Sequence, residues 1–436
     1  MSQPDEPRQL NRITQEQLDA VVKRHEMFRN ARMGGARAVL SFFDLSGLDL
    51  SGRDLAHADL SGSVLRHANL AGAMLDCAAL FACDLRQADL TNASLVKADL
   101  RGACLRGANL EGANLFNADL RDGSLAAKDK GGGLRMLVLE QSPSEMEGAN
   151  LSSANLTNAR LSGALALHTD FTDAVMRGAK LVKANLRNAT LNGSDLEGAD
   201  LSGANLEGAS LRGAVLANTI MTLTELGGAD LTDALTDKPV GRPVDAMAQP
   251  LEELLRLHAE WVGTGGHDGQ ALVISHVDLR GAPSLSRSLL TRLIARNCTF
   301  YGLDLSGTQL QVADLTGSDL RSVDLSHADL RGAHLEGANL NNADLRDANL
   351  NFLQIDDSRQ VVTNLAGARL RYANLTGGRL KRALLRGADL SYADLRGADL
   401  AGADLSEALL VGTKLDKDQL KSAVLDGVQG LPKGLP

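Results

Sequence analysis

The sequence contains little of what most enzymes and most globular cores are built from. Only 3% of its 436 residues are aromatic, and it has four cysteines and nine histidines. Large aromatic side chains contribute much of the buried area of a conventional core. The cysteines form no CxxC pair, and neither they nor the histidines show the spacing of a metal site. We therefore expect no bound metal and no cofactor.

Long apolar segments and catalytic motifs are missing as well. The chain contains no run of about 18 apolar residues, the length that is needed to cross a membrane. Residues 1–12 lack the apolar core of a secretory signal. No P-loop, dinucleotide-binding fingerprint or nucleophile elbow occurs. With 54 acidic and 45 basic residues, the chain lacks the general basic surface of a nucleic-acid-binding protein. We predict a cytoplasmic, non-enzymatic protein that binds neither membranes nor nucleic acid directly.

What the sequence does have is a repeat of five residues. A leucine stands at every fifth position from Leu45 to Leu125, without a break. A small residue, usually alanine, precedes each leucine by two positions, and aspartate or asparagine usually precedes it by one. Such a repeat indicates a structure built from stacked copies of one small unit.

A period of five fits neither a helix, with 3.6 residues per turn, nor an extended strand, with a period of two. The backbone must therefore turn within every unit, and four units can close one coil. Leucine and the small residue then point inward, while stacked coils pair their backbones at the spacing of neighbouring strands. Glycine suits the corners, and aspartate or asparagine can accept hydrogen bonds from turn amides.

The units resemble those of the pentapeptide-repeat family. Clear examples are ANLEG at residues 108–112 and ADLAG at 398–402, and similar units cover three quarters of the chain. The resemblance implies an all-β fold, the right-handed quadrilateral parallel β-helix, with short α-helical capping segments.

Interruptions of the repeat divide the chain into six segments. They are an N-terminal helical cap at 1–40, a first repeat block at 41–125, an inserted loop at 126–148, a second block at 149–235, a proline linker with a second helical cap at 236–299, and a third block with a C-terminal cap at 300–436. The second block is displaced by one residue relative to the first. Smaller lapses of the pattern occur at Ala166, at 220–224 and at 355–363.

The two cap segments are similar to each other. Apolar residues at helical spacing predict helices at 14–31 and 250–262. Alignment of the two segments places His25 on His258, Phe28 on Trp261 and Gly35 on Gly269. We infer an internal duplication, in which each helix covers the otherwise open end of a solenoid.

Two surface patterns are candidates for partner binding. Positions twenty apart should stack, so Arg66, Arg86 and Arg106 form a predicted column. This column could meet an acidic partner, or nearby aspartates could neutralise it. One aspartate from each of four successive units should encircle a single coil, and these are Asp389, Asp394, Asp399 and Asp404.

These patterns leave two functions open. The first is a non-enzymatic scaffold whose flat faces and inserted segments, 126–148 and 236–300, bind an unidentified protein. The second comes from the resemblance, because some family members that confer quinolone resistance mimic duplex DNA and bind the type II topoisomerase DNA gyrase. Acidic residues exceed basic ones by only three or four in each block, which is little for a mimic of closely spaced phosphates. The sequence is also compatible with a homodimer.

Overall fold

The protein, seen in a computed structural model, is described for residues 10–123, 125–128, 134–137, 143–416 and 418–431. The chain divides into two compact units, Met1–Lys238 and Pro239–Pro436. Each unit has its own core of buried leucine and alanine side chains. The division falls in the segment for which the sequence predicts a proline linker.

Conventional helices and strands make up a small part of the described chain. The helices are α1 (Gln15–Arg29), a 3-10 turn (Val244–Ala246) and α2 (Leu251–Gly263). The strands are β1 (Asn11–Arg12), β2 (Phe43–Asp44), β3 (Leu125–Lys128), β4 (Leu134–Leu137), β5 (Arg242–Pro243), β6 (Val273–Ser275), β7 (Val277–Asp278), β8 (Ile294–Arg296), β9 (Leu353–Gln354) and β10 (Gln360–Val361). Most of the fold is therefore built from backbone pairings shorter than a strand.

Those pairings arrange the repeats in coils of twenty residues. Parallel bridges join residues that lie twenty positions apart, as in the series Asp59, Ala79 and Asp99. The bridging residue directly precedes each core leucine. The leucine N–H in turn donates to a carbonyl of the next coil, as from Leu50 to Asn69 at 2.7 Å. Each coil thus contains four units, as the period of five predicts.

Each unit contains the groups that form its own corner. The carboxylate of Asp49 accepts a hydrogen bond from the N–H of Ser51 at 3.0 Å, two residues further on. The next residue, Gly52, has a φ of 64°, in the left-handed region that glycine adopts without strain. Lys97 takes the same conformation at the same place in its unit, with a φ of 58°. Aspartate and the corner residue therefore turn the chain so that the next leucine again faces the core.

Helix α1 covers the first coil of the first unit. It begins with a reciprocal capping box, in which the side chains and backbones of Thr14 and Gln17 bond each other. The side chains of Leu18 and Val22 are buried in the same core as the coil leucines. The helix predicted at 14–31 is confirmed, and it contacts the first coil as expected.

A buried histidine ties each helix to the coil beside it. In α1, Nδ1 of His25 accepts a hydrogen bond from the N–H of Ala38 at 3.0 Å, and its Nε2 lies 3.0 Å from the carbonyl oxygen of Ala56. In α2, Nδ1 of His258 accepts a hydrogen bond from the N–H of Leu272 at 2.9 Å. The prediction of a second helix, at 250–262, is therefore confirmed together with a contact equivalent to that of α1.

The two caps agree in further contacts. His25 stacks on Phe28 with 6.1 Å between ring centroids, and His258 stacks on Trp261 with 5.7 Å. The strand before each helix pairs in parallel with a strand of the coil after it, β1 with β2 and β5 with β7. These matching contacts support the proposed duplication, which remains an inference.

Acid is expected to weaken the second cap through His258. Burial lowers the pKa of His258 below its ordinary value of 6.5, and the nearby Thr291 carbonyl only partly opposes this effect. The unfolded chain therefore binds a proton that the folded cap rejects, so stability is lost as the pH falls below about 6.5. Thermal unfolding followed by the fluorescence of Trp261, the only tryptophan, should show a lower midpoint at pH 5.5 than at pH 7.5.

Two variants test this explanation. His258→Asn cannot titrate in this range and should show a smaller difference between the two pH values. His267→Gln changes an exposed histidine and should behave like the unaltered protein. If His258→Asn lost as much stability between pH 7.5 and pH 5.5 as the unaltered protein does, a role for the buried imidazole would be contradicted.

The first insertion leaves the coil without disturbing it. Cys104 pairs with Glu145, forty-one positions away instead of twenty, and the pairing continues regularly on both sides. The chain thus has twenty-one residues more between these partners than one coil requires, and the described ones among them include the antiparallel pair β3–β4. The other residues of the predicted insert, 129–133 and 138–142, lie outside the described residues. The coil resumes at 144–146, earlier than the predicted insert boundaries of 126–148 imply. The sequence pattern hides this because SEM at 144–146 lacks the usual alanine and leucine.

A second, shorter hairpin leaves the coil in the second unit. His334 pairs with Asn364, thirty positions away, so ten residues lie outside the coil. These are residues 353–362, and they contain the antiparallel pair β9–β10. The lapse predicted at 355–363 thus corresponds to a defined hairpin.

The other two predicted lapses do not interrupt the coil. Ala166 occupies a leucine position, and its N–H donates to Asn185 at 2.8 Å as a leucine would. Ile220 pairs with Asp200 in the normal way. The register prediction was wrong at these places, because backbone pairing continues where only the size of the side chain has changed.

Coil pairing in the second unit also begins before the predicted boundary of 300. Strand β6 pairs in parallel with β8, and Asp278 pairs with Thr299. Residues 284–299 contain no aspartate, and their one alanine does not stand at the small-residue position, which explains why the repeat is inconspicuous there. The segment 236–299 thus contains the cap and the beginning of the coil.

Candidate interaction surfaces

The predicted arginine column lies on successive coils of the first unit, but acidic side chains compensate its charge. Asp84 lies between two of its members, with its carboxylate 2.6 Å from Arg66 Nε and 2.6 Å from Arg86 Nη2. Arg106 pairs with Glu147, which reaches it only because the insertion leaves the coil. The column is therefore a strip of alternating charge rather than a basic patch.

A cleft of about 270 Å³ lies beside this column, close to where the first insertion returns to the coil. Asp84, Arg86, Cys104 and Pro143 contribute to its lining. Burial raises the pKa of Cys104 to about 11 and that of the neighbouring Cys83 to about 12. Both thiols are protonated at neutral pH, so the cleft contains no thiolate nucleophile.

The four aspartates of the predicted ring lie on four successive units of one coil. Their partners are Arg371 for Asp389, Arg396 for Asp394, the Ala401 amide for Asp399, and the Ser406 amide and hydroxyl for Asp404. Two of the four carboxylates are thus paired with arginine, and the other two accept bonds from their own turns. The ring exists in the predicted positions, but it is not a uniform band of negative charge.

One basic surface was missed by sequence reasoning. Arg379, Lys381 and Arg382 are exposed, and none of them forms an ion pair with any described residue. Arg382 donates from Nη1 to the side-chain oxygen of Gln360 at 3.1 Å, and its guanidinium lies 5.3 Å from the ring centroid of Phe352. This basic strip therefore adjoins the hairpin β9–β10. The run RLKR at 379–382 was the available signal.

Neither a membrane span nor a metal cluster is found in the described part of the chain. No helix there is long and apolar enough to cross a bilayer. Likewise, no group of three or more histidine, cysteine, aspartate or glutamate side chains among those residues is arranged to hold a metal ion.

A family model described as "Pentapeptide repeats (8 copies)" matches most of the chain. The matched ranges are 44–79, 83–122, 144–165, 169–208, 199–235, 284–321, 324–359, 363–402 and 388–427. The gap between the second and third ranges, 123–143, coincides with the extra spacing between the paired residues Cys104 and Glu145. No curated protein matches the sequence.

Several solved structures are similar to the chain. A pentapeptide repeat protein from the thylakoid lumen of Arabidopsis thaliana is 34% identical over 27% of this chain and 66% of its own, with a TM-score of 0.21. One from the cyanobacterium Cyanothece 51142 is 30% identical over 32% of this chain and 91% of its own, with a TM-score of 0.24. HetL, a pentapeptide repeat protein of the cyanobacterium Nostoc involved in heterocyst differentiation regulation, is 20% identical over 92% and 91%, with a TM-score of 0.13. These overall superpositions are poor, so the relationship is identified by the matched repeats.

Proposed function

The chain belongs to the pentapeptide repeat family, and we propose that it is a non-enzymatic scaffold that binds another protein. Its described surface offers coil faces and two hairpins, and the thiols of the cleft beside the arginine column are protonated at neutral pH. We also infer that the coils follow the right-handed, four-sided path that the family resemblance implies. Binding on loops that project from a regular framework is common in repeat proteins.

The observation that carries this proposal is that both hairpins are additions to a complete coil. Removal of residues 123–143 would join Asp122 to Ser144, and removal of 353–362 would join Phe352 to Thr363. Ser144 and Thr363 are fully buried and occupy the small-residue position of their units. Each deletion would therefore restore the five-residue spacing. The fold does not require the hairpins, which leaves them free to serve recognition.

The segment 236–299 is less suited to this role than the sequence suggested. Leu251 of α2 and Val277 of β7 are both buried in the core of the second unit. The segment thus builds the cap and the first pairings of that unit. We assign partner binding to the hairpins instead.

The basic strip indicates the chemistry of one binding surface. Arg379, Lys381 and Arg382 present three cations without a carboxylate partner among the described residues, next to the side chain of Gln360 on β10. A protein with an acidic segment would be attracted to this surface, with an affinity that falls as salt rises.

Two deletion variants test the scaffold function. Chains that lack 123–143 or 353–362 should unfold at nearly the same temperature as the complete chain, because the coil is restored. At least one of them should lose most of the partner that the complete protein captures from native extract, as measured by quantitative pull-down.

A matched control removes 186–205, one complete coil of twenty residues, and leaves both hairpins in place. This variant should retain the partner. If both hairpin deletions still captured every partner, the proposal would be contradicted. It would also be contradicted if the partner were lost only from the variant that lacks the whole coil 186–205.

DNA mimicry receives no equivalent support from the charges. Arg371 and Arg396 pair with two of the four ring aspartates, at 3.2 and 2.6 Å. A duplex mimic requires closely spaced, uncompensated negative charge. We therefore do not extend the proposal to a topoisomerase partner.

A further inference from the structure

Aspartate and arginine form a recurrent pair within the coils. Wherever the sequence reads Asp-Leu-Arg, the aspartate stands directly before a core leucine and the arginine directly after it. In the eight such units the two side chains form an ion pair of 2.5 to 2.7 Å. The aspartate also accepts a hydrogen bond from the arginine N–H, as from Arg86 to Asp84 at 3.3 Å. One carboxylate therefore completes the turn and neutralises the cation beside it.

The coil of residues 364–383 departs from this pattern. It contains five basic residues and no acidic one, whereas acidic residues outnumber basic ones in the next coil, 384–403. In two of its units arginine stands where the aspartate would be, which gives Arg-Leu-Arg at 369–371 and Arg-Leu-Lys at 379–381. Like charges therefore lie side by side where opposite charges are usual.

Asparagines of the preceding coil complete these two turns instead. The N–H of Lys381 donates to Oδ1 of Asn351 at 2.9 Å, and the N–H of Arg371 donates to Oδ1 of Asn341 at 3.0 Å. The amide oxygen of asparagine accepts the hydrogen bond but carries no charge. Each turn is thus complete without a carboxylate, and its cations need a counter-charge from elsewhere.

One of the two units receives a counter-charge from the chain itself. Arg371 pairs with Asp389 of the next coil at 3.2 Å. In the other unit, Arg379 is bridged through its backbone to Asp399 of the next coil, but the Asp399 carboxylate bonds to its own turn. Arg379 and Lys381 are both exposed, and neither forms an ion pair with a described residue.

The positions of the unpaired cations suit a small anion with more than one charge. Arg379 and Lys381 flank a buried leucine, so their side chains leave the same face roughly 6–7 Å apart. Arg382 follows at the corner, where its guanidinium contacts Phe352 and Gln360. A third cation is therefore positioned before a ligand binds, which lowers the ordering cost of binding.

A phosphate group fits this arrangement better than a carboxylate does. A phosphorylated side chain carries a charge of about −1.5 to −2 and three acceptor oxygens, whereas a glutamate carries a single charge and two oxygens. Arginine binds two phosphate oxygens with its planar fork, and lysine adds a point charge. One phosphate can therefore compensate cations that one carboxylate would leave partly unbalanced.

We infer that the basic strip, Arg379, Lys381 and Arg382, binds a phosphorylated segment of the partner protein. This inference rests on the proposed scaffold function and names the chemistry that the strip recognises. The phosphate supplies the negative charge that aspartate supplies in an Asp-Leu-Arg unit. Because the strip adjoins the hairpin β9–β10, a segment bound there can also contact the hairpin.

Anisotropy measurements with three short labelled peptides test the inference on the full chain. The peptides are identical and otherwise uncharged, and they carry phosphoserine, glutamate or serine at the centre. The phosphoserine peptide should bind at least about tenfold more tightly than the glutamate peptide, because it adds charge and hydrogen bonds. Equal affinities for these two peptides, or no binding of the phosphoserine peptide, would overturn the inference.

Two matched variants locate the site. Arg379→Asp creates an Asp-Leu-Lys unit, which neutralises Lys381 within the coil, and should weaken binding of the phosphoserine peptide at least about tenfold. The variant should fold, because Asp329 and Asp399 occupy the same position in nearby coils. Arg369→Asp makes the same change of charge in the same coil, two units away, and should leave the affinity nearly unchanged. Equal weakening by both variants would show a general basic band and not a site, and the inference would fail.

Two further comparisons separate the inference from its alternatives. Single-stranded DNA of similar length that bound more tightly than the phosphoserine peptide would identify a nucleic-acid surface and overturn the inference. If the phosphoserine peptide failed to bind while deletion of 353–362 still cost the partner, this inference alone would fail. If the peptide bound as expected while both hairpin deletions kept every partner, the assignment of the hairpins would fail and the phosphate site would stand.

Discussion

Replacement of Phe171 by alanine should destabilise the first unit by about 3–5 kcal/mol. Phe171 is fully buried at a leucine position, and Ala166 occupies the preceding leucine position with almost no exposure. We infer that the phenyl ring fills the volume that a leucine at 166 would take. Close-packed neighbours, fixed by pairing between coils, cannot collapse into the cavity left by its removal. Urea unfolding and hydrogen exchange of the coil amides would measure the loss.

The same pair of residues supplies a test of this explanation. Ala166→Leu alone should overfill the core at a cost of about 1–3 kcal/mol. The double variant Ala166→Leu/Phe171→Leu places the commonest residue at both positions and should recover most of the stability. If the double variant lost as much stability as Ala166→Leu and Phe171→Leu lose together, the two residues would not share one space.

Substitution of Gly35 by alanine should destabilise the first cap by about 1–3 kcal/mol, because the added methyl meets backbone rather than a movable side chain. A Cβ at this position would lie 2.6 Å from the Cα of Phe28 and still closer to its backbone nitrogen. If the backbone at residue 35 moved away from Phe28 to relieve this clash, the hydrogen bond from the N–H of Ala36 to the carbonyl of Arg24, at 3.0 Å, would break. Thermal unfolding of the variant measures the effect.

The second cap allows the same experiment with a sensitive probe. A Cβ on Gly269 would contact the Leu257 carbonyl and lie 2.6 Å from the backbone nitrogen of Trp261. Trp261 fluorescence should therefore report an early loss of the cap in Gly269→Ala. Gly265→Ala is the control, since Gly265 shares the left-handed conformation of Gly269, with a φ of 64° against 76°, but a Cβ there meets nothing within 4 Å. Equal effects at Gly265 and Gly269 would contradict the explanation by close approach.

Much of the fold was predictable because its determinants lie within one unit. Helix α1 was expected at 14–31 and spans Gln15–Arg29, since apolar spacing and a local cap define it. The positions of Arg66, Arg86 and Arg106 on one column follow from the period alone. Neutralisation by nearby aspartates was expected, and Asp84 provides it for Arg66 and Arg86. The partner of Arg106 was not predicted, because Glu147 reaches it only after an insertion whose length in the coil is not apparent from the pattern.

The sequence by itself determined the repeating unit, since inward leucine, small residue, turn-forming carboxylate and corner glycine act over five neighbouring residues. It also determined the two capping helices and their common histidine. Only the tertiary structure decided which coil meets which across 123–143 and 353–362, and which carboxylate neutralises each arginine of the column. These outcomes depend on stacking between residues twenty to forty positions apart, where one additional residue changes every contact that follows.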